Sequence, residues 1–187
     1  MVSVPKQSNN QGLANGKKNV VIVFDFDKVK GDGYVRDEKG ISVTKLEFVQ
    51  DYTPIGLFVD ESSIDAGDTV GGENYGRGFN HSFKFNHPGD DLAFAEFKAN
   101  NINGSLGVIY VPCDSSKPCK VYGTPCQPLK MTKADEIDNN ENNRQEVELN
   151  TDSLTWPVGR IAKADIPATD NAEINAYLGI GGQNGGV

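Results

Sequence analysis

Apolar and polar side chains alternate along this chain in short runs, the pattern of strands separated by turns. VVIVFDFD (20–27) begins apolar on both faces and becomes one-sided, with Ile22, Phe24 and Phe26 opposed by Asp25 and Asp27, which predicts a strand leaving the core. ISVTKLEFVQ (41–50) alternates through Ile41 and Val43, then shifts phase to Leu46 and Phe48, the mark of a bulge near Thr44 and Lys45. IGLFVD (55–60) is a further strand. GFNHSFKFN (78–86) is the clearest half-buried strand, with Phe79, His81, Phe83 and Phe85 on one side and Asn80, Ser82, Lys84 and Asn86 on the other. Strands are also expected at 104–111, 120–122 and 127–132. RQEVELN (144–150) is another, turning Val147 and Leu149 inward and Glu146 and Glu148 outward.

Two helices interrupt the strands. Asp90 can N-cap DLAFAEFKANN (91–101), where Ala93, Phe94 and Phe97 form the apolar stripe. Near the end, Asp170 and Glu173 stand at capping-box spacing before Ile174, Tyr177 and Leu178, and Gly179 supplies the stop. KGDGYVRDEKG (30–40) reads as a loop or short hairpin, ADEIDNNENN (134–143) as a polar loop, and Trp156-Pro157 as extended chain. The 21 glycines and 18 asparagines punctuate the chain every few residues and favour strands and loops over long helices. The fold class expected is mainly β, a β-sandwich or small barrel, with one flanking α-helix and a short C-terminal helix. Residues 1–19 are expected to be a flexible N-terminal arm, 20–160 the β-rich domain, and 161–187 a C-terminal extension.

Charge changes the picture in one place. The chain carries 26 acidic against 18 basic side chains, a formal net charge of −8, which disfavours affinity built on phosphate contacts. Between 60 and 76 the acids Asp60, Glu61, Asp65, Asp68 and Glu73 occur with no base, in a Gly-rich stretch with few large apolar residues. Residues 60–77, closed by Arg77, are therefore expected to be either a solvated acidic loop or a protruding hairpin that orders against a neighbouring subunit. No apolar run is long enough for a bilayer-spanning helix, and no membrane partner is expected. Cys113, Cys119 and Cys126 lack zinc-knuckle spacing; Cys113 and Cys119 could close a disulfide in an oxidising compartment, and free thiols are expected otherwise.

The succession of elements from 78 to 153 resembles that of tailed-bacteriophage tail tube proteins and other ring-forming virion proteins, particularly those of phages of Bacteroidetes-type bacteria. The order of elements carries the resemblance: the strand GFNHSFKFN, the helix DDLAFAEFKANN, the strand LGVIYV, the hairpin through KVYGTPCQPLKMT, an acidic loop and the strand RQEVELNTDS. The resemblance implies a tail tube-like sandwich or barrel flanked by a helix. It also implies a homo-oligomeric ring, six-fold by the family's habit with twelve-fold as the alternative. Such a ring is stacked with neighbouring tail or neck proteins of the virion, which assembles in the host cytoplasm. In that family the segment matching 60–77 lies between subunits. The candidate subunit-interface or lumen residues are therefore Asp60, Glu61, Asp65, Asp68, Glu73 and Arg77. An acidic conduit wall would let DNA pass without tight binding, because it repels phosphate. The function expected is structural, with no enzymatic activity and no cofactor. The long arm and the C-terminal helix with its GGQNGGV tail depart from the family and leave tube, ring, connector and decoration protein open.

Two other readings are weighed against this one. VVIVFDFDKV is similar to the first motif of haloacid-dehalogenase-type phosphatases, which would make Asp25 the nucleophile, Asp27 the general acid, and Asp90 or Asp91 a magnesium ligand. The strand–helix alternation such a scaffold needs is missing here. Trp156 with Tyr52, Tyr75 and Tyr122 could form a sugar-binding platform on a β-sandwich, so a carbohydrate- or protein-binding module is the alternative function. His81 and His87 lack a Ser or Cys context marking either as a catalytic base, and the spacing around Asp25 does not fit an EF-hand.

Overall fold

The computed structural model describes residues 16–73, 75–141 and 143–181. At its centre lie β1 (Lys17–Asp25) and β7 (Leu106–Pro112), antiparallel neighbours paired from Val21↔Tyr110 to Asp25↔Leu106. Their alternate side chains enter two different apolar clusters. Val21, Val23, Val108 and Tyr110 face one; Val20, Ile22, Phe24, Ile109 and Val111 face the other. A strand buried on both faces has no polar side, which is why VVIVF reads as a continuous apolar run.

From this centre the sheet extends in two directions. β4 (Ile55–Phe58) pairs with the outer edge of β1, while β8 (Cys119–Tyr122), β11 (Gly159–Ile161), β3 (Ser42–Phe48) and β2 (Val29–Arg36) follow one another beyond β7. Through Leu106↔Leu129, β7 also passes into a second run of β9 (Leu129–Asp138), β10 (Asn143–Thr151), β6 (Gly78–Pro88) and β5 (Asp65–Gly71). Every pairing is antiparallel except β11 with β3. The path ends at β2 and β5 without closing. The fold is mainly β with two helices, in a sandwich or open-sheet arrangement, and the closed barrel kept open from sequence does not form.

Residues 78–88 behave as their alternation predicts: His81, Phe83 and Phe85 are buried, and Phe83 packs edge-on against Tyr122 at a centroid distance of 5.2 Å. The bulge also falls where expected, since Val35 pairs with Lys45 but Arg36 pairs with Val43, leaving Thr44 without a partner. α1 (Leu92–Asn101) covers the first cluster with Phe94 and Phe97, and α2 (Ala172–Leu178) the second with Ile174 and Leu178. Gly179, at φ 63°, ends α2 in the left-handed region.

Several local expectations are corrected. Lys17, Lys18 and Asn19 belong to β1 rather than to an arm, and the arm's residues 1–15 lie outside the described residues, as do 182–187 of the tail. The stretch 30–40 supplies most of β2, because tertiary pairing with β3 overrides its turn-forming composition. Much of 134–143 is strand: β9 runs to Asp138 and β10 starts at Asn143, exposed on one face and so polar in sequence. The caps shift by one residue. Asp91, not Asp90, accepts from the Phe94 N–H of α1, and Asn171, not Asp170, caps α2. Ala93 is exposed rather than part of the buried stripe.

Candidate functional site

The segment 60–77 is neither a free loop nor devoid of core residues. Asp60 N-caps a 3-10 turn, Glu61–Ser63, its Oδ1 accepting from the Ser62 N–H at 2.9 Å. Ile64 then drops into the first cluster beside Phe83, and Lys17 Nζ donates to its carbonyl oxygen. Asp65 opens β5, which pairs with β6 in unbroken register from Asp65↔Lys84 to Gly71↔Gly78. The segment thus forms neither a solvated loop nor a hairpin of its own: residues 65–71 are an edge strand of the sheet, paired with β6.

The six acidic-segment candidates are spread along this segment, not gathered into one site. Glu61, Asp65 and Glu73 are exposed. Asp68 stands opposite His81 and its Oδ2 accepts from the Val158 N–H at 3.3 Å. The Glu73 carbonyl receives the Gly76 N–H in the turn, and Arg77 ends that turn immediately before β6 begins at Gly78.

Arg77 opens onto a cleft of about 900 Å³ between the turn after β2, the base of β6, the β8–β9 turn and the chain before β11. Trp156, 62% exposed, forms one wall. Its ring lies over Gly40, where φ is 68° and a Cβ would come within 2.6 Å of the indole. Glycine is required there by conformation and by space together. Arg36 clamps both neighbours of the ring: Nη1 donates to the Gly40 carbonyl at 2.9 Å and to the Pro157 carbonyl at 2.8 Å, and Nε to the Tyr34 hydroxyl at 3.1 Å. Its Nη2 is buried without a partner. Burial pushes the Tyr34 hydroxyl above its ordinary pKa, against the opposing pull of Arg36.

His81 completes the support from below. The Gly123 N–H donates to its Nδ1 at 2.9 Å, so that nitrogen carries no proton, and Nε2 donates to the Trp156 carbonyl at 2.8 Å. Burial holds its pKa below the usual histidine value. Both ring nitrogens are consumed in structure, so His81 cannot act as a general base without breaking the cleft wall. The cleft therefore offers binding chemistry: a fixed indole face, the Arg77 guanidinium, the Gln127 amide and the Glu38 carboxylate.

His87 is also structural. Its Nδ1 faces the Phe58 carbonyl at 2.9 Å, its Nε2 faces the Asp91 carboxylate at 2.5 Å, and its ring stacks on Phe94 with centroids 4.2 Å apart. The hydrogen bond from His87 keeps the Asp91 carboxyl below its ordinary pKa.

The residues of the phosphatase reading are engaged in separate local caps. Asp25 accepts from the Asp27 N–H at 2.9 Å, Asp91 caps α1, and Asp90 lies 3.5 Å from the Gln145 amide. Among the described residues, no group of three or more His, Cys, Asp or Glu is placed to hold a metal ion. The proposed aromatic platform is dispersed as well: Tyr122 is in the core, Tyr52 packs on Phe48, and Tyr75 is fully exposed at the hairpin tip. Cys113, Cys119 and Cys126 are all free, and burial raises the Cys119 thiol pKa. Sequence reading missed Arg36, whose partner Pro157 lies 121 residues away; no local pattern marks such a clamp.

Comparison with models of known families, with curated proteins and with solved structures returns no match.

Proposed function

We propose that this chain is a structural protein of a tailed-phage virion, of the tail or neck, that works by joining copies of itself into rings that form or surround a DNA conduit. The observation that supports this reading is the outer edge of β5. This strand ends the sheet, runs seven residues in register with no bulge, and carries neither proline nor lysine. Val70 on it is 66% exposed, and Tyr75 projects beyond it.

The edge of β4 makes a useful contrast. There the Gly56 N–H is taken by Asp170 Oδ1 at 2.9 Å, and the Phe58 carbonyl by His87. β2, the other end of the path, breaks register with β3 twice. Capping and irregular pairing are ways in which a sheet edge is protected from pairing with another chain. Among the described residues β5 has neither, so it is the edge best suited to receive a strand from a second copy. Joined head to tail through such an edge, copies close into a ring when the rotation permits. Asp65, Glu61 and Glu73 would then lie near the joint or the lumen, where negative charge lets DNA slide.

Negative-stain microscopy and light scattering of concentrated protein test this, with Val70→Lys as the edge-blocking variant. Rings from the wild-type chain and monomers from a folded Val70→Lys are expected. Monomers from both, or rings from both, would count against it.

A second reading, a carbohydrate-binding β-sandwich, is favoured by Trp156. An indole held by Gly40 and Arg36 yet left mostly exposed is suited to stack on the apolar face of a sugar, with Arg77 and Gln127 to meet its hydroxyls. A glycan array read against Trp156→Ala separates the two: specific binding lost in the variant would favour it.

A further inference from the structure

A polar cluster beneath α1 has no role in either reading. On β10, Gln145 is fully buried, with Glu136 of β9 and His87 of β6 directly opposite it, so the three side chains share the face that α1 covers. Lys98 reaches this cluster from α1, next to the buried Phe97. Its side chain is only 15% exposed, and its Nζ donates to the Gln145 Oε1. Glu136 Oε2 stands 3.6 Å from the same Nζ, and Asp90 Oδ1 lies 3.5 Å from the Gln145 Nε2. His87 is engaged elsewhere, by the Phe58 carbonyl and Asp91. A lysine amine is thus held against a primary amide that water does not reach, with one carboxylate at the amine and another at the amide nitrogen. Burying an ammonium costs free energy that a hydrogen bond and a half-exposed carboxylate offset only in part. A secondary amide in the same place would carry no charge.

We infer that Lys98 and Gln145 condense into an intramolecular isopeptide bond, with Glu136 as the proton acceptor. Glu136 takes a proton from the Lys98 ammonium, and the freed electron pair of Nζ attacks the Gln145 Cδ. The Nζ–Cδ bond forms and the Cδ–Nε2 bond breaks. Nζ gives up two protons over the reaction, and the leaving nitrogen carries both away as ammonium, received by the exposed carboxylate of Asp90. Nothing is oxidised or reduced, and no co-reactant is needed. The bond closes a loop between residues 47 apart and pins α1 to the sheet. The inference does not depend on ring formation.

The test is intact mass spectrometry of the full chain followed by tryptic peptide mapping, on fresh protein and after incubation at about pH 8, where more of the amine is uncharged. Expected are a mass below that of the sequence by one ammonia, no tryptic cleavage after Lys98, and a branched peptide joining the α1 and β10 segments. Lys98→Arg has its full sequence mass, and Glu136→Gln forms the link about a hundredfold more slowly or worse. The wild-type map reads the bond directly, so the test stands even if Lys98→Arg is unstable. A wild-type chain that keeps its full sequence mass throughout would overturn the inference. So would an ammonia deficit that maps to a succinimide at an Asn-Gly pair such as Asn103-Gly104, or a link that forms undiminished in Glu136→Gln.

Discussion

His81 holds Trp156 through a hydrogen bond from Nε2 to the tryptophan carbonyl, 2.8 Å long, and the Gly123 N–H on its other nitrogen fixes that tautomer. A buried imidazole held neutral in this way has a lowered pKa in the folded state. The unfolded chain therefore takes up the proton first as pH falls, and the stability His81 contributes is complete above about pH 6.5 and declines below it. Urea unfolding at pH 7.5 and 5.5 is expected to show this loss in the wild type and less of it in His81→Gln. His81→Ala leaves a buried N–H and a carbonyl unpaired and is expected to cost about 3 kcal/mol at pH 7.5 and less at pH 5.5, where the wild type has already lost part of this stability.

Trp156 is the single tryptophan, so fluorescence excited selectively at tryptophan, and not at the six tyrosines, reports on the cleft. Gly40→Ala places a Cβ against the indole at a positive φ. The expected result is a loss of about 1–2 kcal/mol with a shift in emission as the ring is displaced. Arg36→Lys keeps the charge but not the fork that joins Gly40, Pro157 and Tyr34, and is expected to shift emission in the same direction.

Ile64 separates a core role for the acidic segment from a loop role. As a buried side chain packed with Phe83, its truncation to alanine should cost about 2–5 kcal/mol in chemical denaturation. A change within about 0.5 kcal/mol would be the signature of a loop residue.

Asp91 serves two elements at once, capping α1 through the Phe94 N–H at 2.7 Å and receiving His87. Its lowered pKa means that this contribution is present above about pH 4 and lost as pH falls through its folded value. Asp91→Ala is expected to cost about 1 kcal/mol at neutral pH, and Asp91→Asn less, since asparagine also caps. Denaturation between pH 3 and 6 should show a flatter acid limb in both variants than in the wild type.

The parts of the fold that sequence made legible are those governed by local periodicity. The alternation of 78–88, the phase shift at Thr44 and the stop at Gly179 each rest on geometry within a few residues. What sequence hid depends on distant partners. β2 is a strand because β3 lies beside it; β5 is acidic and glycine-rich, yet β6 recruits it into the sheet through Ile64 and Ala66. The Trp156 cleft is joined from Arg36, Gly40, His81 and Gly123, residues with no common spacing. The acidic candidates were visible as a charge run, but their individual duties as turn cap, backbone acceptor or exposed charge arise only from placement.

Amide hydrogen exchange along β5 tests the central claim most directly, measured on dilute and on concentrated protein. If copies join through this edge, amides within 65–71 gain protection together with ring formation, and Val70→Lys abolishes both. Unchanged exchange in 65–71 while rings form would contradict the account.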